Sequence, residues 1–139
     1  MTPEQIARLF YQYFNGRRLD EAAQLVDPQA VFHYVPTRQR LVGRARALVA
    51  AWLHAFEDAR LDIQTIVADG AGVRVEFIGR GTHTGDLVLG DTVSIPATGR
   101  AAHLPFRDRL VIRDGLIVSS ELDFDVEEMK RRLLGPPSN

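Results

Sequence analysis

The sequence predicts an α+β domain in which a curved, mostly antiparallel sheet wraps around N-terminal helices. Three observations predict it. Apolar residues recur at helical spacing up to about Phe56, then at a spacing of two from Arg60 to about Phe124, and at helical spacing again only near the C-terminus. Helices first and strands afterwards is the order of a domain that stacks its helices on one side of a sheet. The 139 residues suit one such domain, assigned to residues 1–134, followed by a short Gly-Pro-Pro-Ser-Asn tail at 135–139.

Taken in order, the first helix has its own start signal. Thr2 suits the cap, Pro3 the first turn and Gln5 the reciprocal partner of a capping box. Ile6, Leu9, Phe10, Tyr13 and Phe14 follow at helical spacing, and Asn15-Gly16 ends the run. Leu19 to Val26 reads as a second short helix and Ala30 to Val35 as a short strand. After a basic loop, Gly43 opens a third helix with Leu48, Trp52, Ala55 and Phe56 on one face. Leu61, Ile63, Thr65 and Val67 then alternate with more polar residues. Past Asp69-Gly70-Ala71-Gly72 the alternation resumes at Val73, Val75 and Phe77, and carries His83 onto the same apolar face. Residues 84–100 read as a long loop. Two strands, about Ala101–Ile112 and Leu116–Phe124, flank Arg113-Asp114-Gly115, and a last helix starts near Val126.

The final hairpin decides which carboxylates face inward. A two-residue turn at Asp114-Gly115 would pair Arg113 with Leu116 and mix Glu121 and Asp123 with apolar residues. A three-residue loop pairs Ile112 with Leu116, sets Arg107 opposite Glu121 and gathers the even residues on one apolar face. Unpartnered buried carboxylates cost several kcal/mol each, so the second register is expected. Asp108 is then the lone acid on the inner face, and Glu121, Asp123 and Asp125 lie outside.

The bulk numbers exclude several function classes. Seventeen basic residues against 18 acidic ones give no field for nucleic acid or an anionic membrane. Cysteine is absent, so there is neither a disulfide framework nor thiolate chemistry. No apolar run approaches the ~18 residues of a membrane span, and no signal-peptide pattern opens the chain, so a cytoplasmic protein is expected. The four histidines stand far apart and none has a carboxylate at zinc-ligand spacing, so no metal is expected. Arg38, Arg40, Arg44 and Arg46 form a local basic patch that reads as a solvated edge.

Four segments together resemble the SnoaL-like polyketide cyclases, members of the nuclear-transport-factor-two-like superfamily. They are Ala55-Phe56-Glu57-Asp58-Ala59-Arg60-Leu61, Gly81-Thr82-His83-Thr84-Gly85, Pro96-Ala97-Thr98-Gly99-Arg100 and Arg113-Asp114-Gly115-Leu116-Ile117-Val118, in family order and at suitable spacing. The resemblance implies a cone-shaped α+β fold with an internal pocket, a homodimer formed through the outer sheet face, and no metal or organic cofactor. It also implies an Asp on the last strand acting as acid/base in an aldol ring closure. That position falls here on Leu122, between Glu121 and Asp123, and the partner His falls on Asp108.

The expected site follows from these faces. Asp108 and His83, polar groups on otherwise apolar faces, are the candidate acid/base pair, with Asp123 as the lesser candidate. Tyr13, Tyr34, Trp52, Phe77, Phe106 and Leu122 are the candidate walls for a hydrophobic small molecule. Two functions stay open. One is an enzyme of cyclase or isomerase type acting on a carbonyl-bearing ring compound. The other is a binding domain of the same fold that has lost the cyclase acid.

Overall fold

In the computed structural model, which describes residues 1–135, Thr2 starts the first helix with the expected capping box. Its hydroxyl accepts from the Gln5 amide at 3.1 Å, and Gln5 Oε1 accepts from the Thr2 amide at 2.8 Å. Helix α1 runs Pro3–Asn15, and the Asn15 side chain then exchanges two hydrogen bonds with the Leu61 backbone, at 2.9 and 2.8 Å. That clamp lays the helix across the sheet. Its buried face is Ile6, Ala7, Phe10, Tyr11 and Phe14, rotated from the expected one. Ala7 lacks the bulk to mark a core position in sequence, yet it is fully buried. The rotation sends Tyr11 inward, while Tyr13 sits beneath the Arg18 guanidinium, 5.0 Å from the ring centroid.

The remaining elements are α2 (Leu19–Gln24), β1 (Val26–Tyr34), β2 (Gln39–Val42), α3 (Ala45–Ala55), β3 (Arg60–Asp69), β4 (Gly72–Thr82), β5 (Leu87–Leu89), β6 (Val93–Ile95), β7 (Ala101–Arg113), β8 (Leu116–Asp123) and α4 (Val126–Leu134). Six strands form one sheet in the order β2-β1-β8-β7-β4-β3, antiparallel except where β1 meets β8. The expected basic loop contains β2. The expected long loop contains the β5–β6 hairpin, whose Leu87, Leu89, Val93 and Ile95 are buried. Those four residues do alternate, but over strands of only three residues each.

Two one-residue irregularities overturn the simple parity of the sequence reading. On β3, Ile63 pairs with Phe77 but Thr65 pairs with Glu76, leaving Gln64 extra. Ile66 therefore packs on the core, and Val67, expected inside, is 49% exposed. On the last hairpin the turn is the two-residue one, with Asp114 at φ 53° and Gly115 at φ 79°, and Arg113 pairs with Leu116. Val118 is then extra, because Ile112 pairs with Ile117 and Val111 with Ser119. Beyond this bulge Asp108 faces Leu122, Arg109 faces Glu121 and Arg107 faces Asp123, rather than Arg107 facing Glu121. Even residues still share a face there. The turn expectation was wrong, and the bulge restores the parity that burying a carboxylate pair would have violated.

Two apolar clusters result. One joins Ile6, Ala7, Phe10 and Tyr11 of α1 to Val73, Val75, Leu110 and Ile117 of the sheet. The other joins the β5–β6 hairpin to Ala55, Leu104, Phe124, Met129 and Leu133. Leu48, Phe106 and Leu122 touch both, and the cavity opens at that junction. Among the described residues, no helix is long and apolar enough to cross a membrane.

Candidate functional site

The junction of the two clusters leaves a cavity of about 140 Å³. A cavity of ~150 Å³ is known to accept a benzene ring, so this one has volume for a flat ring. Its walls are rich in aromatic rings. Trp52 stands at their centre, its ring 6.2 Å from Tyr34, 6.0 Å from Phe106 and 6.4 Å from Phe56. Phe77 stacks on Phe106 at 5.2 Å. Gly79 and Gly81 make room for these rings, since a Cβ would come within 2.8 Å of Phe106 and 2.9 Å of Phe56 respectively. The exposed Arg80 and His103 mark the rim.

Among the described residues, one carboxyl stands in this wall. Asp108 is 8% exposed and lines the cavity. The Tyr11 hydroxyl donates to Oδ2 at 2.6 Å, and the Ser120 hydroxyl donates to Oδ1 at 2.7 Å. Burial raises the carboxyl from 3.8 to about 6, although both hydroxyl donors favour its charged form and hold the rise in check. Tyr11 itself is pushed well above its ordinary value of 10.0, by burial first and by the Asp108 charge second, so it stays a donor. The carboxylate is thus largely ionised at neutral pH and close enough to its midpoint to take up and return a proton.

The walls expected from sequence are in place at Tyr34, Trp52, Phe77, Phe106 and Leu122, and Tyr13 is not among them. The expected Asp108–His83 pair does not form. Asp108 pairs across strands with Val75, and His83 lies eight residues further along the chain, roughly 26 Å at strand rise. His83 is fully buried between the Phe56 ring, 5.2 Å away, and Thr98, whose hydroxyl lies 3.0 Å from Nδ1. Burial pushes its imidazole below the ordinary 6.5. Strand parity had predicted its face correctly and said nothing of its level.

Asp123 points away from the cavity and pairs with Arg107 at 3.2 Å on the outer face. Tyr11 and Ser120 escaped the sequence reading as site residues. Ser120 was legible as an inner-face hydroxyl beside Asp108, whereas Tyr11 needed the true rotation of α1. Among the described residues, no three His, Asp or Glu side chains gather as a metal site would require.

Comparison with known proteins places this arrangement. A family model described as a SnoaL-like domain matches residues 7–120. Among curated proteins, none matches the sequence. Of solved structures, a protein from Jannaschia sp. CCS1 provisionally assigned as a SnoaL-like polyketide cyclase is 17% identical, with TM-score 0.80 over 96% of this chain and 92% of its own. IdmH from Streptomyces antibioticus, provisionally a polyketide cyclase, is 24% identical, with TM-score 0.78 over 97% of this chain and 100% of its own. A protein from Kribbella flavida provisionally assigned as a ketosteroid isomerase is 23% identical, with TM-score 0.65 over 99% of this chain and 83% of its own. Helices against a curved six-stranded sheet, likeness to these structures and a family match over most of the length agree: the chain has the nuclear-transport-factor-two-like fold and belongs to the SnoaL-like domain family.

Proposed function

We propose that this protein is an acid/base enzyme of cyclase or isomerase type, acting on a flat, largely apolar carbonyl compound, with Asp108 as the proton acceptor. The observation that carries the reading is the ionisable carboxyl buried in an aromatic wall, both of its oxygens oriented by hydroxyl donors. Each carboxylate oxygen has two lone pairs, so Tyr11 and Ser120 leave capacity to accept a proton from a bound molecule. A C–H next to a carbonyl would give its proton to Asp108, and the C–H electron pair would move into the carbonyl as an enolate. Return of the proton at another carbon is an isomerisation. Attack of the enolate carbon on a second carbonyl is an aldol closure. This chemistry asks for a base and a polar partner for the carbonyl oxygen, and side chains can supply both.

The test uses 2-tetralone, a largely apolar two-ring ketone, and follows exchange of its α-protons in D2O by NMR. Exchange should accelerate with protein, rise with pH as Asp108 ionises, and reach half its plateau at a pH of about 6. A second reading, a binding domain without catalysis, is favoured by Leu122, which lines the cavity where the resemblance aligns the cyclase acid. It predicts that 2-tetralone binds and that exchange is no faster than in buffer.

The proposal includes a second copy of the chain against the outer sheet face, supported by the family resemblance. Sedimentation at micromolar concentration should give twice the monomer mass, and a monomer there would remove this part.

A further inference from the structure

Among the described residues, nothing uses the hydroxyl proton of Tyr34. Its ring is 4% exposed and lines the cavity. The Trp52 indole donates to Tyr34 Oη at 2.8 Å, and among the described residues no oxygen accepts the phenolic proton in return. An indole N–H can only donate, so this bond fixes the direction of the pair. Tyr34 accepts on one side and is left to donate on the other.

The register places that donor opposite the carboxylate. Tyr34 pairs with Leu122 and Leu122 pairs with Asp108, so the three form one rung across β1, β8 and β7 on the inner face. Two strand spacings separate Tyr34 from Asp108, about 10 Å between Cα atoms. Leu122 between them is an apolar floor. The phenol also feels the carboxylate, because burial first, and then the Asp108 charge, raise it to about 12 against the opposing effect of Trp52. It therefore keeps its proton throughout the range in which Asp108 titrates.

We infer that the Tyr34 hydroxyl, aimed by Trp52, donates a hydrogen bond to the substrate's carbonyl oxygen and is a second catalytic residue of the site. The inference rests on the acid/base reading of Asp108. As the α-proton moves to Asp108, negative charge gathers on the carbonyl oxygen, and a donor fixed in place before the reaction stabilises it without reorganising. The pair also sets a specificity. A ligand must carry its carbonyl at one end of the rung and its acidic C–H at the other, within an otherwise apolar, flat body.

The test reads the carbonyl directly. The infrared C=O band of bound 2-tetralone should lie at lower frequency in wild type than in Tyr34→Phe, and Tyr34→Phe should exchange α-protons about 100-fold more slowly. Trp52→Phe, which leaves Tyr34 free to turn, should broaden the band and slow exchange by a smaller factor. Asp108→Asn should slow exchange by about 10²–10⁴-fold and leave the band shifted, which separates failure of the donor from failure of the base. A shifted, Tyr34-dependent band in a protein that exchanges nothing would sustain the donor and sink the base. A wild-type band placed as in an apolar solvent, or unchanged in folded Tyr34→Phe, would overturn the inference.

Discussion

Replacing Asp108 with Asn is expected to lower α-proton exchange from 2-tetralone by about 10²–10⁴-fold and to make the folded protein more stable at neutral pH. The two effects share one cause. Burial raises the Asp108 carboxyl from 3.8 to about 6, so the folded state holds this proton more tightly than the unfolded chain does. Stability from this group therefore falls as pH rises through the interval from 3.8 to about 6, and the full penalty is present above it. A shift of that size corresponds to about 3 kcal/mol. Asn carries no charge at any pH and escapes the penalty. Denaturant melts at pH 7.5 and pH 4 should show the variant's advantage shrinking by roughly that amount at the lower pH. Comparing the two pH values cancels whatever Asn does to packing. An advantage independent of pH would mean that Asp108 is not the strained group described.

The second large effect concerns the scaffold. Gly85→Ala should destabilise the fold by ~2–3 kcal/mol, because a Cβ at Gly85 would overlap the His54 carbonyl oxygen. Backbone carbonyls cannot swing aside as a flexible side chain can. The amides of Thr84 and Gly85 both donate to the Ala55 carbonyl, at 3.0 and 3.1 Å, so this is where the end of α3 is tied to the β5–β6 hairpin. Separating them would loosen Ala55 from Leu87 and Ile95 and disturb Trp52 one turn away. A fall in Tm of about 10 °C and a red shift of Trp52 fluorescence are the expected readouts. Gly115→Ala is the comparison. Gly115 has positive φ, at 79°, and nothing lies within 4 Å of its added Cβ, so only backbone strain of about 1 kcal/mol is expected. Equal losses in the two variants would remove the steric argument at Gly85.

How much of this was written legibly in the chain depends on which physical quantity each residue reports. Alternation reports a face, and it placed Asp108 and Leu122 inside and Asp123 outside. It does not report a level, and so it offered His83 as a partner for an acid on the neighbouring strand, whose level lies some eight residues away at Val75. Helical spacing reported that α1 is amphipathic, but Ala7 and Leu9 are both apolar and only packing chooses between them. That choice decides whether Tyr11 or Tyr13 enters the core. The extra residues Gln64 and Val118 carry no mark of their own, since a bulge is selected by what burying the wrong face would cost. The β5–β6 hairpin was missed for a different reason: three-residue strands are too short for alternation to stand out from chance.

The proposed chemistry depends on an acid that shares its proton with the cavity near neutral pH. The most direct measurement is a titration of the Asp108 side-chain carbon by NMR in uniformly ¹³C-aspartate-labelled protein, its signal identified by its loss in Asp108→Asn. The account predicts a midpoint close to 6, moving when 2-tetralone is bound. A midpoint at the ordinary aspartate value of 3.8, indifferent to the ketone, would contradict it.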